Sequence, residues 1–126
     1  MAKRKLVNLT EVSLITCVIQ KGMADTINHT LLEAGVQGAT VHQAVGTGVR
    51  EKLGILGVAV EVEREVINVL VANDQLTRIF ERIYLAGRLD TPGMGYLYAT
   101  NLVQAATYVP AHLLENRGPS VIGGLA

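Results

Sequence analysis

The sequence predicts an α+β domain in which two similar βαβ units share one antiparallel sheet. The first of three observations is an internal repeat, because apolar and small residues recur 52 positions apart. The second is an apolar run of strand length before a helix-like segment in each half, and the third is a glycine after each such segment. The repeated pairs are Ile19 and Val71, Ala24 and Leu76, Ile27 and Ile79, Leu31 and Ile83, Ala34 and Ala86, and Gly35 and Gly87.

The first unit occupies residues 14–45. Residues 14–19 form an apolar run typical of a strand, and the apolar residues after it recur three and four positions apart, which is typical of an amphipathic helix. Gly35 stands where the end of a helix favours a left-handed residue, so we predict that it caps this helix. Residues 39–45 predict the second strand.

Residues 46–65 join the two units and fall outside the repeat. Glycines at 46, 48, 54 and 57 are followed by the sequence VAVEVEREV, in which apolar and charged residues alternate as in a half-exposed strand. We therefore predict a long hairpin with a protruding loop.

The second unit repeats the pattern of the first. Residues 66–72 predict a strand, Asn73-Asp74 an N-cap, Gly87 the C-cap of the second helix, and residues 95–102 the last strand. The order β-α-β-β-α-β is that of the ferredoxin-like fold, whose helices cover one face of the sheet. We expect one domain over residues 1–126, with a core at 12–108 and a C-terminal tail at 109–126.

The composition predicts an oligomer. A chain of 126 residues has the length of one domain, 49% of its residues are hydrophobic, and its mean hydropathy is +0.32. Apolar surface left on the open sheet face would usually become an interface between subunits, and a trimer is one common way to cover it.

Several function classes are not supported by the sequence. Eleven basic residues balance eleven acidic ones, which disfavours nucleic acid as a partner. The single cysteine, Cys17, lies in an apolar run and is predicted to be a small buried hydrophobe. The three histidines lack metal-ligand spacing, and no nucleophile and base pair is recognisable, so we predict no metal site, no catalytic residue and no enzyme. No apolar stretch reaches the ~18 residues of a membrane span, and we predict a cytoplasmic protein.

The order of motifs resembles the PII nitrogen-regulatory family. The matching features are GTG at 46–48, a protruding loop, a strand ending in VAND at 71–74, and GMG at 93–95 before the last core strand, in register from about residue 14 to 108. The resemblance implies a homotrimer that binds ATP or ADP in clefts between subunits. It also implies a loop that docks onto a transporter, an enzyme or a transcription regulator.

This resemblance assigns candidate site residues. Glycines suit a phosphate site, because a backbone that approaches a phosphate closely leaves no room for a Cβ. The predicted effector-binding residues are Thr40, Gly46, Thr47, Gly48, Arg88, Gly93, Met94, Gly95 and Tyr96, and the predicted partner-docking loop residues are Val49, Arg50, Glu51, Lys52 and Leu53.

The departures from the family pattern concern the phosphate-binding cations. Tyr96 replaces a lysine, and Thr107 and Val109 replace two arginines. Each lost charge-assisted hydrogen bond is worth about 1.5–3 kcal/mol. Either Arg88 or Arg50 substitutes for them, or the effector carries less charge than ATP, as do ADP, AMP or a small anion such as bicarbonate; no obligatory cofactor is expected.

The loop departs from the family pattern as well. It is shorter than usual, it lacks the tyrosine that is modified in some members, and Arg50 replaces a glutamine that helps to bind magnesium and 2-oxoglutarate. A guanidinium repels a metal ion and attracts an anion, so we expect a signal other than 2-oxoglutarate, in nitrogen or in carbon metabolism.

Two alternatives stay open at this point. Tyr96 and Tyr98 point to the same side of the last strand, where they either flank a base or pack. The alternative to a sensor that controls a membrane transporter is a structural trimer similar to CutA-type proteins, with a vestigial cleft and no nucleotide.

Overall fold

Two βαβ units build one four-stranded antiparallel sheet, and both helices pack on one face of it. The computed structural model describes residues 6–36, 38–49 and 59–112, with the backbone alone at 47–49 and 59–61. The sheet order β3-β4-β2-β5 confirms the predicted ferredoxin-like α+β fold. In chain order the elements are β1 (Asn8–Leu9), β2 (Val12–Gln20), α1 (Ala24–Glu33), β3 (Thr40–Val49), β4 (Ala59–Ala72), a 3₁₀ turn (Asn73–Gln75), α2 (Leu76–Ala86), β5 (Gly95–Asn101) and β6 (Ala105–Ala106).

The repeat in the sequence forms the hydrophobic core. Alternate residues of β2 and β4 face the helices, as the two-residue period of a strand requires. The repeat-related core pairs are Ile15 and Ile67, Cys17 and Val69, Ile19 and Val71, Ile27 and Ile79, and Leu31 and Ile83, and all ten side chains are at most 6% exposed. Full burial of each isoleucine or leucine contributes about 1.5–3 kcal/mol. Burial also raises the pKa of the Cys17 thiol to about 11, so it is a neutral apolar group at neutral pH, as predicted.

The two units meet at a pair of polar side chains in the middle of the sheet. In the register of β2 and β4, Thr16 lies opposite Asn68, which is its equivalent 52 positions later. The Thr16 hydroxyl donates a hydrogen bond of 2.8 Å to the Asn68 side chain. A local two-fold axis therefore passes between these two residues and relates the halves of the core.

The start of α1 is held by a carboxylate from β4. Oε1 of Glu65 accepts hydrogen bonds from the backbone N–H groups of Gly22 at 2.6 Å and Ala24 at 3.0 Å. Beside it, Lys21 forms an ion pair of 2.8 Å with Glu63, and this hydrogen bond raises the pKa of the lysine. No side-chain cap comes from the N-cap residue of α1 itself, so Glu65 satisfies donors that the helix leaves free.

One of the predicted helix caps is wrong, and another differs in its backbone conformation. Gly35 is left-handed at φ +88°, as predicted. Gly87 is the C-cap of α2, also as predicted, but its φ is −82° and the left-handed residue is Arg88, at φ +50°. Asn73 begins a 3₁₀ turn and does not cap α2, whose N-cap is Gln75 without a side-chain hydrogen bond.

Asn73 instead belongs to a polar cluster around Ser13. The Ser13 Oγ lies 2.5 Å from the Asn73 Oδ1 and 2.6 Å from the corresponding atom of Asn101. Because a hydroxyl has one hydrogen, it donates to one amide and accepts from the NH₂ group of the other. The Asn73 side chain is therefore engaged with the strand ends and is not available to the helix.

The predicted hairpin between the units is confirmed as a strand pair. β3 and β4 are antiparallel from Thr40 opposite Asn68 to Val49 opposite Ala59, and the tip at 50–58 lies outside the described residues. Neither α1 nor α2 is long and apolar enough to cross a membrane.

A second small sheet was not predicted. β6 pairs with β1, and Val109 is buried against Leu9 and Val12 beneath it. The predicted tail at 109–126 thus begins with a residue that packs on the domain, and residues 113–126 lie outside the described part.

Candidate functional site

The Arg64 side chain connects the two glycine segments, 46–48 and 93–95, that were predicted to bind the effector. Nη1 of Arg64 donates hydrogen bonds to the backbone carbonyls of Gly93 at 3.1 Å and Met94 at 3.2 Å. On its other side, a Cβ at Gly46 would lie 3.6 Å from Cγ and 3.8 Å from Nε of the arginine. We call Gly46, Arg64 and the turn 93–95 the Arg64 site.

The alternation of β4 separates the charge of Arg64 from its acidic neighbours. Glu63 and Glu65 point to the helix side, where they bind Lys21 and the start of α1, whereas Arg64 points to the open face. Within the described residues, Arg64 makes no ion pair, and Nε and Nη2 make no hydrogen bond. The guanidinium therefore has donors at the end of the sheet that could bind an anion.

The turn before β5 is fixed by backbone contacts. The Met94 carbonyl also accepts a hydrogen bond of 2.9 Å from the Gln20 N–H, and the Met94 N–H donates to the Thr91 carbonyl at 3.1 Å. Gly93 and Gly95 have φ +81° and +145°. The Met94 side chain is 6% exposed and belongs to the core, so only its backbone could meet an effector.

Position 95 must be glycine for a structural reason that the sequence did not reveal. A Cβ there would lie 2.1 Å from the carbonyl oxygen of Val18 and 2.9 Å from Cα of Ile19. The glycine is required because the start of β5 approaches the backbone of β2 closely, whether or not a phosphate binds nearby.

The other predicted effector-binding residues do not all lie near the Arg64 site. Thr40 begins β3 opposite Asn68, six residues from Gly46, which is about 20 Å along an extended strand. The backbones of Thr47 and Gly48 pair with Glu61 and Val60 in the hairpin. Thr40 and Gly46 of one chain therefore cannot contact the same small ligand.

Arg88 lies at the beginning of the segment that leads to the turn. Its carbonyl accepts a hydrogen bond of 2.9 Å from the Thr91 N–H, and in the described part its side chain makes no hydrogen bond to residues 93–95. Of the predicted docking loop, Val49 ends β3, and Arg50, Glu51, Lys52 and Leu53 lie outside the described residues.

The structure shows the surroundings of two of the three positions at which the cations of the family pattern are replaced. Val109 is 8% exposed and packs in the small second core, a place that a charged side chain would not tolerate. Tyr96 is 59% exposed and stacks on Tyr98, with ring centroids 6.3 Å apart. The prediction that both tyrosines share one side of β5 is confirmed.

Arg64 is the site residue that sequence reasoning missed. The sequence does contain a pattern that could have identified it. The alternating positions 60, 62, 64 and 66 read Val, Val, Arg, Val, so an arginine interrupts an apolar strand face. No group of His, Cys, Asp or Glu that could hold a metal ion occurs among the described residues.

Comparison with solved structures shows the fold. Arabidopsis thaliana PII bound to citrate is similar with a TM-score of 0.58 and 17% identity, over 74% of this chain and 78% of that one. The GlnK–ATP complex of B. subtilis gives 0.60 and 19%, over 72% and 81%. B. subtilis GlnK gives 0.61 and 16%, over 73% and 85%.

Comparison of the sequence shows the family. No curated protein matches the sequence significantly. Residues 12–108, more than half of the chain, match the family described as nitrogen regulatory protein P-II, and this range contains both βαβ units and the whole Arg64 site. This chain therefore belongs to the P-II nitrogen regulatory protein family.

Proposed function

We propose that this protein is a regulatory sensor that binds a small anionic effector at the Arg64 site and controls a partner through the loop at 50–58. The observation that carries the proposal is the hydrogen bonding of Arg64 to the Gly93 and Met94 carbonyls. Arg64 lies on β4, the strand that leads directly out of the loop. An anion that binds the guanidinium would therefore act on both the turn and the base of the hairpin.

The effector site is proposed to lie between subunits of a homotrimer. The family supports this, and so does the separation of about 20 Å between Thr40 and Gly46, which lets both contribute only if they come from different protomers. The sheet face away from the helices supports an interface, because Leu70 is 49% exposed there opposite the half-buried Leu14.

The proposed effector carries limited negative charge. ATP and citrate, found in the related GlnK and PII structures, are both anionic. Arg64 is the cation in the described part that is hydrogen-bonded to the glycine turn, and one guanidinium pairs with one phosphate or carboxylate. ADP, AMP, ATP and bicarbonate are the effectors to compare.

Arg64→Gln should weaken effector binding at least tenfold. The amide keeps a hydrogen-bond donor but loses the charge, which costs about 1.5 kcal/mol or more of a charge-assisted bond. Isothermal titration of the full chain with ATP, ADP, AMP, citrate and bicarbonate measures the change. Arg78→Gln is the matched control, because Arg78 is exposed on α2 and donates to the Ala34 carbonyl, away from the Arg64 site.

Equal binding by Arg64→Gln and the wild type would remove Arg64 from the site. If no effector binds the wild type with a Kd below about 1 mM, or roughly 4 kcal/mol, the sensor proposal itself is wrong. The alternative is then a structural trimer of CutA type, which the burial of Val109 at a lost cation position favours.

Replacing residues 50–58 by Asn-Gly should abolish capture of the partner and leave the fold intact. Val49 and Ala59 are paired neighbours at the last described rung of the hairpin, so a two-residue turn can join them without a change of register. The measurement is a pull-down from detergent-solubilised membranes, with circular dichroism as the folding control. Undiminished capture of the same protein by the shortened chain would show that the loop is not the docking element.

A further inference from the structure

The small second sheet has one face that packs on the domain and one face that is exposed. We call β1 and β6 with their flanking residues, 6–9 and 105–109, the ribbon. Alternate residues of an extended chain point to opposite sides. The side chains of the inner face, which pack in the small second core, are Val7, Leu9, Ala105 and Val109. Between them, Leu6 and Tyr108 point outward and are 67% and 82% exposed.

The outer face of the ribbon is apolar where a strand in water is usually polar. Val103, in the connection that leads into β6, is fully exposed as well. We call Leu6, Val103 and Tyr108 the ribbon patch. None of the three side chains packs in either core of the described residues. A group of large apolar side chains that the core does not use favours an interaction surface.

A basic segment lies next to the ribbon patch. Lys3, Arg4 and Lys5 directly precede Leu6, and the chain keeps their Cα atoms within about 11 Å of it. Residues 1–10 and 102–112 contain no acidic residue. Because the whole chain has equal numbers of basic and acidic residues, the remainder carries a net negative charge. A negatively charged surface would attract the ribbon and repel the rest of the protein, so that contact with it is oriented.

The ribbon patch is remote from the Arg64 site. The ribbon packs on Val12, at the beginning of β2, whereas Arg64 lies opposite Gln20, at the end of that strand. The eight residue steps between them span about 27 Å. A surface bound by the ribbon patch therefore leaves the Arg64 site and the base of the hairpin free.

We propose that the ribbon patch and the basic segment together bind the surface of an anionic membrane. Tyrosine and leucine side chains enter the boundary between headgroups and acyl chains, while lysine and arginine pair with lipid phosphates. A nucleic acid would satisfy the cations but would leave Leu6 and Val103 in water. This inference goes beyond the proposed function and does not require an effector at the Arg64 site.

Sedimentation of the full chain with lipid vesicles tests the proposal. Vesicles of phosphatidylcholine with about 30% phosphatidylglycerol should bind the wild type about tenfold more tightly than vesicles of phosphatidylcholine alone. Arg4→Gln/Lys5→Gln should weaken binding to the anionic vesicles about tenfold, because two lipid contacts lose their charge. Tyr108→Ser leaves the charge unchanged and should weaken binding about fivefold, because the ring no longer enters the membrane.

Two variants of α2 are the matched controls. Arg78→Gln/Arg82→Gln also removes two exposed positive charges, and Leu85→Ser removes a large side chain that is 70% exposed. Both should bind the anionic vesicles as the wild type does, since α2 lies on the helix side of the main sheet, away from the ribbon. Circular dichroism verifies that all four variants are folded.

Each other outcome overturns the proposal. Equal binding to the two kinds of vesicle, or undiminished binding by Arg4→Gln/Lys5→Gln or by Tyr108→Ser, would exclude the ribbon patch as a membrane surface. An equal loss in the α2 variants would assign binding to overall charge or hydrophobicity. A single-stranded oligonucleotide that binds as tightly as the anionic vesicles would show a site for any polyanion.

Light scattering covers the remaining occupant, a second copy of this chain. A smaller oligomer in Tyr108→Ser than in the wild type would show that another subunit covers the ribbon patch, and the proposal would be wrong. The titration of effectors with Arg64→Gln is a separate measurement, so failure of the membrane proposal leaves the proposed function intact.

Discussion

Gly95→Ala should destabilise the protein by about 4 kcal/mol, the sum of backbone strain and overpacking. The residue has φ +145°, which alanine rarely adopts, and the added Cβ would lie 2.1 Å from the carbonyl oxygen of Val18. The atoms it meets are backbone atoms of β2, the central strand that pairs with both β4 and β5, so they cannot move without loss of sheet hydrogen bonds. Urea denaturation followed by circular dichroism measures the change in unfolding free energy.

Gly93→Ala is the matched control for this prediction. Gly93 belongs to the same turn and also has a positive φ, of +81°, but a Cβ there meets no atom within 4 Å. It should therefore cost only the strain of a left-handed residue, about 1–2 kcal/mol. Equal losses for the two variants would mean that close packing on β2 does not explain Gly95.

The fold was predictable because the repeat encodes the core. Most side chains that recur 52 positions apart in the sequence are buried, and their periods of two and of three to four residues identify strands and helices. The small sheet of β1 and β6 was not predictable, since two-residue strands carry no periodic signal. Its existence depends on Val109, whose burial only the folded chain reveals.

The candidate site was predictable only in its glycines. The residue that joins Gly46 of β3 to the turn before β5, Arg64, is separated from Gly93 by 29 positions and reaches it across β2. Such a contact depends on strand order and register, which a single sequence does not specify. The separation of about 20 Å between Thr40 and Gly46 follows from their positions on one extended strand.

Gly87 ends α2, as the repeat predicted, but without the left-handed backbone conformation that was expected. Gly35 and Gly87 are equivalent in sequence, yet only Gly35 is left-handed. At Gly87, with an ordinary φ of −82°, a Cβ would lie 2.7 Å from Cδ1 of Ile19 and 3.3 Å from Cδ1 of Ile27. An alanine here would displace the end of the Ile19 side chain, so the glycine is favoured by close packing of the end of α2 on β2 and α1 and not by its backbone conformation.

Gly87→Ala should accordingly destabilise the protein by about 2 kcal/mol through overpacking, and Ile19→Val should relieve part of that loss. Valine lacks the Cδ1 atom that the new methyl group would meet, and alone it costs about 1 kcal/mol. The double variant should then lose about 1 kcal/mol less unfolding free energy than the two single variants lose together. Urea denaturation of all four proteins measures this coupling energy.

The repeat-related glycine supplies the control for this cycle. A Cβ at Gly35 meets nothing within 4 Å, so Gly35→Ala is opposed only by its φ of +88° and should lose about 1 kcal/mol. Ile19→Val cannot relieve backbone strain, and its effect should simply add to that of Gly35→Ala. If Gly87→Ala and Ile19→Val also prove additive, the contact with Ile19 does not explain Gly87, and the strain must come from the Ile83 carbonyl, 3.2 Å from the added Cβ.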